Sequence, residues 1–549
     1  MKFIPMLTLL ISSSAIAMPI TPEEALTKAL STLPRETQFR VPSLHSYTLT
    51  SSIGNGNIYV FNSSAGGFII AAGDSEIRTP LLGYSFEGFY DPSDVPPALI
   101  DMLNAYSNGV WETSPGSPQQ EISPILTTHW NQDEPYFNHC PIISSGRTMT
   151  GCAATAISQV LKTYQYPECG SGVAYAQADH QPVSLNLDEH PIDWANLRDS
   201  YSSEYTEDEA EAVANLMHVV GMAINMSYGT SASGAYPRDY VLGLVNHLGY
   251  DRSLRSLRRD FFSLDQWNTM LHAELSSGHP IIYSGFNEYG GHCFVIDGYI
   301  YEPETSNAYF HVNWGWSGKS DGYFLVTALN PSEQGIGGSP EGYNKNQEAI
   351  FNLQPDRGTE YLIPEIGLYG PFGVKSASIM KDKDPEFCAS GAGINNYEGF
   401  YNVGVENISV YLGIKLVDKV TGKIDYVASD TYSTLNTTGR ERSYTISADR
   451  MPTEGTYTVT PAFLYDGIWY EIGQDYTTRT DLTLTVTDKR FKFTSKPYGD
   501  QSGITEISTG ISRESTTYYD LMGRPIAEPI PGSFYILKGD NKVTLYINK

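Results

Sequence analysis

A single cysteine at the start of an amphipathic helix constrains this chain more than any other feature. The run Thr150-Gly151-Cys152-Ala153-Ala154-Thr155-Ala156 leads into apolar residues at Ile157, Val160, Leu161 and Tyr164. With Ala153 these follow the i, i+3, i+4 spacing of a helix with one buried face, and Pro167 marks its end. Cys152 therefore falls in the first turn. There, unpaired backbone amides and the positive end of the helix dipole favour a thiolate over a thiol. A buried, inert cysteine is the plain alternative for an isolated thiol.

Three further segments weigh against that alternative. Gly290-Gly291-His292-Cys293-Phe294-Val295-Ile296-Asp297-Gly298-Tyr299 carries a histidine into a strand, 140 residues after Cys152. His311-Val312-Asn313-Trp314-Gly315-Trp316-Ser317-Gly318 follows after a short turn and closes with Asp321-Gly322-Tyr323-Phe324. Strand, turn, strand predicts Asn313 and Trp314 beside His292. An imidazole that takes a proton from a thiol and hands it to a leaving amine needs its ring held, and a carboxamide or an indole can do so. Upstream, Trp130-Asn131-Gln132-Asp133-Glu134-Pro135-Tyr136 supplies a side-chain amide at Gln132. Such a donor, beside the nucleophile's own backbone amide, is a common way to stabilise an oxyanion, although many loop glutamines are only solvated.

In order, WNQxxPY, TGCAATAISQ, YGTSASGA over Tyr228 to Ala235, GGHCFVIDGY, HVNWGWSGKSDGYF and ALNP resemble the streptopain family of cysteine peptidases, secreted bacterial enzymes of papain-like fold. The resemblance runs from about Ile125 to Pro355. The Cys152 to His292 separation fits the roughly 130 to 150 residues between nucleophile and base in papain-like peptidases. Carried over residue by residue, the resemblance implies Cys152 as nucleophile, His292 as general base and acid, and Gln132 in the oxyanion hole. It implies Trp314 and Asn313 as supports of the histidine, and Ser233, Gly234 and Gly291 as lining of the substrate pocket. The glycine-rich stretch Gly335 to Asn344 resembles the mobile loop that borders the family's site. Two departures stand out: Cys293 occupies a position where a small residue such as alanine is usual, and the link from Gln132 to Cys152 is shorter than in streptopain. Neither removes a catalytic group.

The expected architecture is α+β, with a papain-like peptidase domain at 119–357. Residues 1–17 read as a signal peptide, since Met1-Lys2 precedes an apolar stretch from Phe3 to Ile11 and Ala15-Ile16-Ala17 offers a small-x-small cleavage site. That address implies a secreted or cell-surface protein. No other apolar run approaches the roughly 20 residues that span a bilayer, and no cysteine follows the cleavage site as a lipoprotein requires. Residues 18–118 are expected to form a prodomain. Tyr59 to Asn62 and Gly67 to Ala72 read as two short strands, followed by Leu82 to Ser85 and the helix-like Pro97 to Tyr106. The pattern resembles the streptopain-type prodomain, an intramolecular inhibitor that covers the site until cleavage; a permanent N-terminal domain is the alternative. Ser114 to Pro124, rich in Pro, Ser and Gln, is the expected cleavable linker.

Beyond Pro355 the texture changes to short alternating strands such as Ile408 to Leu416 and Thr456 to Thr460, which predicts an immunoglobulin-like β-sandwich at 358–490. Residues 505–549, with Tyr518 to Pro525 and Gly532 to Leu537, resemble the C-terminal sorting domains of type IX secretion in Bacteroidetes. That resemblance makes the secretion machinery a partner; an ordinary small β-domain is the alternative.

Composition narrows the function classes. The formal charge is −27 without basic runs, which argues against a nucleic-acid partner. An aromatic content of 12%, with 39 tyrosines, suits sheet-rich proteins. Five cysteines leave at least one thiol unpaired if only internal disulfides form, and pairing of Cys140 with Cys169 stays open. No H-x-x-x-H or C-x-x-C pair is present, so neither a metal nor another cofactor is expected. The readings in competition are a cysteine endopeptidase made as a zymogen, acting on proteins or peptides, and a non-catalytic adhesin or inhibitor on a retired peptidase fold. A retired site has no chemical reason to keep Cys152, His292, Gln132 and Trp314 together.

Overall fold

A ten-stranded sheet assembled from two distant parts of the sequence organises the computed structural model of this chain. The structure describes residues 19–33, 46–74, 79–108, 117–262, 264–286, 291–303, 305–326, 345–359, 364–389, 398–437, 439–474, 480–497, 517–519, 525–526, 534–539 and 542–547. The expected signal peptide and the glycine-rich stretch Gly335 to Asn344 lie outside the described residues.

The first four strands, β1 (Tyr47–Ile53), β2 (Ile58–Ser63), β3 (Phe68–Ala72) and β4 (Leu81–Ser85), form an antiparallel meander. The other six are β5 (Arg255–Arg258), β6 (Ile281–Phe286), β7 (Gly291–Glu302), β8 (Asn307–Asn313), β9 (Gly322–Phe324) and β10 (Lys345–Phe351). Across the sheet the order is β1-β2-β3-β4-β9-β8-β7-β6-β10-β5. The two parts meet where β4 runs antiparallel to β9, with Tyr84 opposite Tyr323 and Gly83 opposite Phe324.

Among the described residues six α-helices pack around this sheet: α1 (Pro22–Ser31), α2 (Pro97–Asn108), α3 (Cys152–Tyr164), α4 (Glu207–Ala223), α5 (Pro237–Asn246) and α6 (Leu264–Ser276). Side chains on a strand alternate between faces, and β7 uses both. Phe294 and Ile296 join a core with α1, α2 and α6, whereas Cys293 and Val295 join one with α3, α4 and α5. The first of these cores is continuous from Leu26 and Tyr106 to Trp267 and Trp314, so the N-terminal region and the peptidase sheet bury one apolar surface together. Burial of that kind is the main favourable term in holding two segments of chain together.

Two expectations need correction. The stretch Ser114 to Pro124 is not an open linker over its second half. Ser117 is buried and accepts a bond from Asn268 Nδ2, the Pro118 carbonyl accepts from the Tyr299 hydroxyl, and Ile122 bridges Tyr299 through both backbone groups. These bonds exist because β7 offers this segment a free main-chain edge and a tyrosine. The sandwich, in turn, runs past 490: Arg490–Pro497 is a full strand paired with Thr480–Val486. At its other end, Arg357 N and Thr359 Oγ1 still bond the Asp251 carboxylate, and the first sandwich strand is Ile366–Tyr369.

The strands from Ile366 to Pro497 enclose their own core, with Leu368, Phe387 and Phe400 facing Leu412, Ile414, Leu484 and Phe493. This layer docks on the peptidase through Arg238 of α5. Its guanidinium donates to the carbonyls of Thr437 (2.7 Å), Val403 (3.1 Å) and Gly404. Arg252 pairs with Glu406, and Val405 enters the core around α3. Farther on, Phe534–Gly539 and Lys542–Ile547 form an antiparallel hairpin. Among the described residues no helix is long and apolar enough to cross a membrane.

Candidate active site

The nucleophile candidate Cys152 is the first residue of α3, as the sequence pattern predicts, and the helix ends at Tyr164 with Gln165 in the left-handed region. Gly151 makes this start possible. Its backbone lies at φ 88° and ψ 143°, and a Cβ there would sit 2.8 Å from the Ser233 carbonyl oxygen. Only glycine takes such a conformation at low cost. The half-buried Cys152 thiol is pushed up from its ordinary pKa by burial, partly offset by the backbone N–H groups of Cys293, Ala153 and Cys152 itself. Cys152 packs against the core that contains Cys293 and Val295, which puts the thiol beside β7.

His292 is the second residue of β7, opposite Gly285 on β6, and is half-buried. Burial lowers its imidazole to about 4. Burial thus favours the neutral thiol and the neutral imidazole. A neutral thiol is the unreactive form.

Gln132 lies against the start of α3. Its carbonyl accepts from Thr150 Oγ1 at 3.1 Å, and the preceding Asn131 carbonyl accepts from Thr155 Oγ1 at 3.3 Å. Trp314 is buried, with its indole N–H on the Ser320 carbonyl at 3.0 Å and its ring 5.0 Å from that of Phe294, two residues along β7 from His292. The Asn313 amide is buried too. It donates to the Thr128 carbonyl (2.7 Å) and accepts from Gln159 Nε2 (3.0 Å) and the Gly315 N–H (3.0 Å). Its bonds therefore run to the helix and to the 128–132 segment.

The pocket candidates divide. Ser233 is buried, and its hydroxyl donates to the Met149 carbonyl at 2.7 Å and accepts from the Gly229 N–H at 3.1 Å, so it ties the loop to the segment leading into Cys152. Gly234 pairs through both backbone groups with Ser227, and a Cβ there would meet open space. Gly291 is exposed where β7 begins. All five cysteines are free thiols, and Cys169 donates to the Leu187 carbonyl. Among the described residues no group of three or more His, Cys, Asp or Glu side chains could hold a metal.

Sequence reasoning passed over Gln159, which is fully buried and accepts from the Trp130 N–H at 3.1 Å. The signal was present: Cys152, Thr155 and Gln159 stand at i, i+3 and i+7, a polar stripe along one face of α3. It also passed over Asp94, whose carboxylate accepts from the Trp316 indole and pairs with Lys319.

Comparison with known proteins identifies the family. The Peptidase C10 family matches residues 130–324, and the Spi protease inhibitor family matches residues 17–110. Streptopain of Streptococcus pyogenes is 31% identical over 343 residues, covering 57% of this chain and 84% of the relative. The thiol protease/hemagglutinin PrtT of Porphyromonas gingivalis is 30% identical over 344 residues, covering 57% of this chain and 39% of the relative. Among solved structures, a prointerpain A fragment of Prevotella intermedia is 32% identical and covers 56% of this chain and 98% of that one, with a TM-score of 0.49. The family match, the streptopain relative and the inhibitor-like N-terminal region agree: the chain is a member of the peptidase C10 family, a papain-like cysteine peptidase made as a zymogen.

Proposed function

We propose that the chain is an exported endopeptidase in which Cys152 is the nucleophile, His292 the general base and acid, and Gln132 the oxyanion donor. The observation that carries this is the Cys152 thiol at the N-terminus of α3, packed against the core that holds Cys293, the neighbour of His292 on β7, and with the Gln132 backbone fixed two residues upstream on Thr150. His292 takes the thiol proton, and the thiolate adds to the scissile carbonyl carbon to form a C–S bond. The oxyanion so formed accepts from the Gln132 amide and the Cys152 backbone N–H. The imidazolium then gives its proton to the leaving nitrogen as the C–N bond breaks, leaving a thioester. Water, deprotonated by His292, hydrolyses the thioester and returns the thiol. Trp314 and Asn313 hold the hairpin behind His292, and Ser233, Gly234 and Gly291 border the bound chain.

The N-terminal region up to about residue 118 keeps the enzyme latent, and its matched inhibitor family supports that role. Export by residues 1–17 and sorting by residues 505–549 complete the reading, with the type IX machinery as the partner of the tail. Incubating the purified chain and its Cys152→Ala variant with casein under reducing conditions tests it. The wild type shortens itself and degrades casein, and the variant stays full-length and inert. Casein hydrolysis by the Cys152→Ala variant would overturn the nucleophile assignment.

A further inference from the structure

Gln159 links three parts of the site that come from separate stretches of sequence. Its Oε1 accepts from the Trp130 N–H, and its Nε2 donates to Asn313 Oδ1. Asn313 Nδ2 then donates to the Thr128 carbonyl, while Gly315 N–H donates to Asn313 Oδ1. A backbone donor at one end and a backbone acceptor at the other leave both side-chain amides a single orientation. Every member is buried, so no solvent competes for these bonds, and a lost partner leaves an unsatisfied polar group. The relay ties the Gln132 segment and the β8 hairpin to the helix that starts at Cys152. The Ser317 N–H, which donates to the Trp130 carbonyl, and Gly315, where a Cβ would stand 3.1 Å from Thr155 Cγ2, hold the same hairpin to the same two elements.

We infer that Gln159 is a positioning residue: through Trp130 and Asn313 it sets the Gln132 amide and the hairpin behind His292 relative to the Cys152 thiol. The inference rests on the proposed roles of Cys152 and Gln132. A side chain of the same length without an amide, Gln159→Met, loses both links. Gln159→Glu keeps an acceptor for Trp130 but turns a carboxylate oxygen toward Asn313 Oδ1, so it breaks the Asn313 link alone.

The test is a double-variant cycle in the full chain after maturation, with kcat expressed per Cys152 that alkylates, so that unfolded protein does not count. Gln159→Met should lower kcat by about 10²-fold, the scale of an ångström-sized misplacement, with KM little changed. Gln159→Glu should lower kcat less. In the Gln132→Ala background Gln159→Met should add less than its full loss, since of the two groups it positions only the hairpin remains. Losses that multiply in the double variant, or a wild-type kcat for Gln159→Met, would overturn the inference. If Gln132→Ala alone leaves kcat unchanged, the oxyanion assignment fails instead, and the two failures are distinguishable. Should Gln159→Met yield no alkylatable protein, a cycle of Gln159→Glu with Asn313→Ala decides, since both remove the same link and losses that multiply would overturn the inference.

Discussion

Asp94 in the N-terminal region accepts a hydrogen bond from the Trp316 indole at 3.1 Å while its second oxygen pairs with Lys319. Trp316 and Lys319 belong to the hairpin turn that follows Trp314, so this contact fastens the prodomain to the wall of the active site. The Lys319 ammonium and the Trp316 N–H hold the Asp94 carboxyl below its usual range.

Asp94→Asn should therefore hasten maturation. The change keeps one acceptor for Trp316 but removes the charge that faces Lys319. Exposed ion pairs are weak and screened by salt, so the acceleration should be modest and should shrink as ionic strength rises. Following conversion of full-length chain by gel densitometry at two salt concentrations checks it; an unchanged half-time at low salt counts against the contact as a latch.

Gln132→Ala should reduce kcat about 10² to 10³-fold, the loss measured for other single oxyanion donors. Alkylation of Cys152 by a small reagent should barely change, because the donor acts after the thiolate has formed. A change confined to KM would move Gln132 to the substrate-binding wall.

Stability should carry the signature of His311. Burial alone would push its imidazolium down, but the Asp297 carboxylate, by charge and through a 2.6 Å bond, raises it above the ordinary 6.5, with Asp321 adding to that and His129 opposing it. A raised folded pKa means stabilisation that is present in full below 6.5 and lost as pH rises through the folded value. The thermal midpoint of the wild type should exceed that of His311→Gln by an amount that narrows with rising pH. Midpoints that run parallel from acid to alkaline pH would refute the pair's contribution.

Arg238→Met should loosen the sandwich. It leaves the carbonyls of Val403, Gly404 and Thr437 without their donor in a partly buried interface, at a cost of about 1–3 kcal/mol for each group left unsatisfied. Limited proteolysis should then cut between the peptidase and sandwich domains, where the wild type resists. Identical digestion patterns would mean that Arg252–Glu406 and Val405 suffice to hold the interface.

The features legible in the sequence were those written in local periodicity. The apolar rhythm after Cys152 and the strand rhythm after His292 each lie within a few turns or pleats, so α3 and β7 could be read directly. Gln159 could not, because a glutamine on a helix reads as solvent-facing unless the opposing elements are known. The Asp297–His311 pair spans 14 residues of hairpin with a register shift between Ile296 and Gly298, which strand alternation alone does not reveal. Nor could the join of β4 to β9, since edge pairing across more than two hundred residues leaves no local pattern. The pinned segment after Ser117 is hidden for the same reason: its composition says linker, while its backbone partners lie on β7.

The join of β4 to β9 makes inhibition a matter of molecularity. While the chain is intact, the N-terminal meander meets its binding edge at the effective concentration set by its own tether, of millimolar order for short flexible links. Once the tether is cut the same strand pairing becomes a bimolecular equilibrium, and dilution alone can pull the two pieces apart. A cleaved but concentrated sample would stay silent, and the same sample would wake on being spread thin.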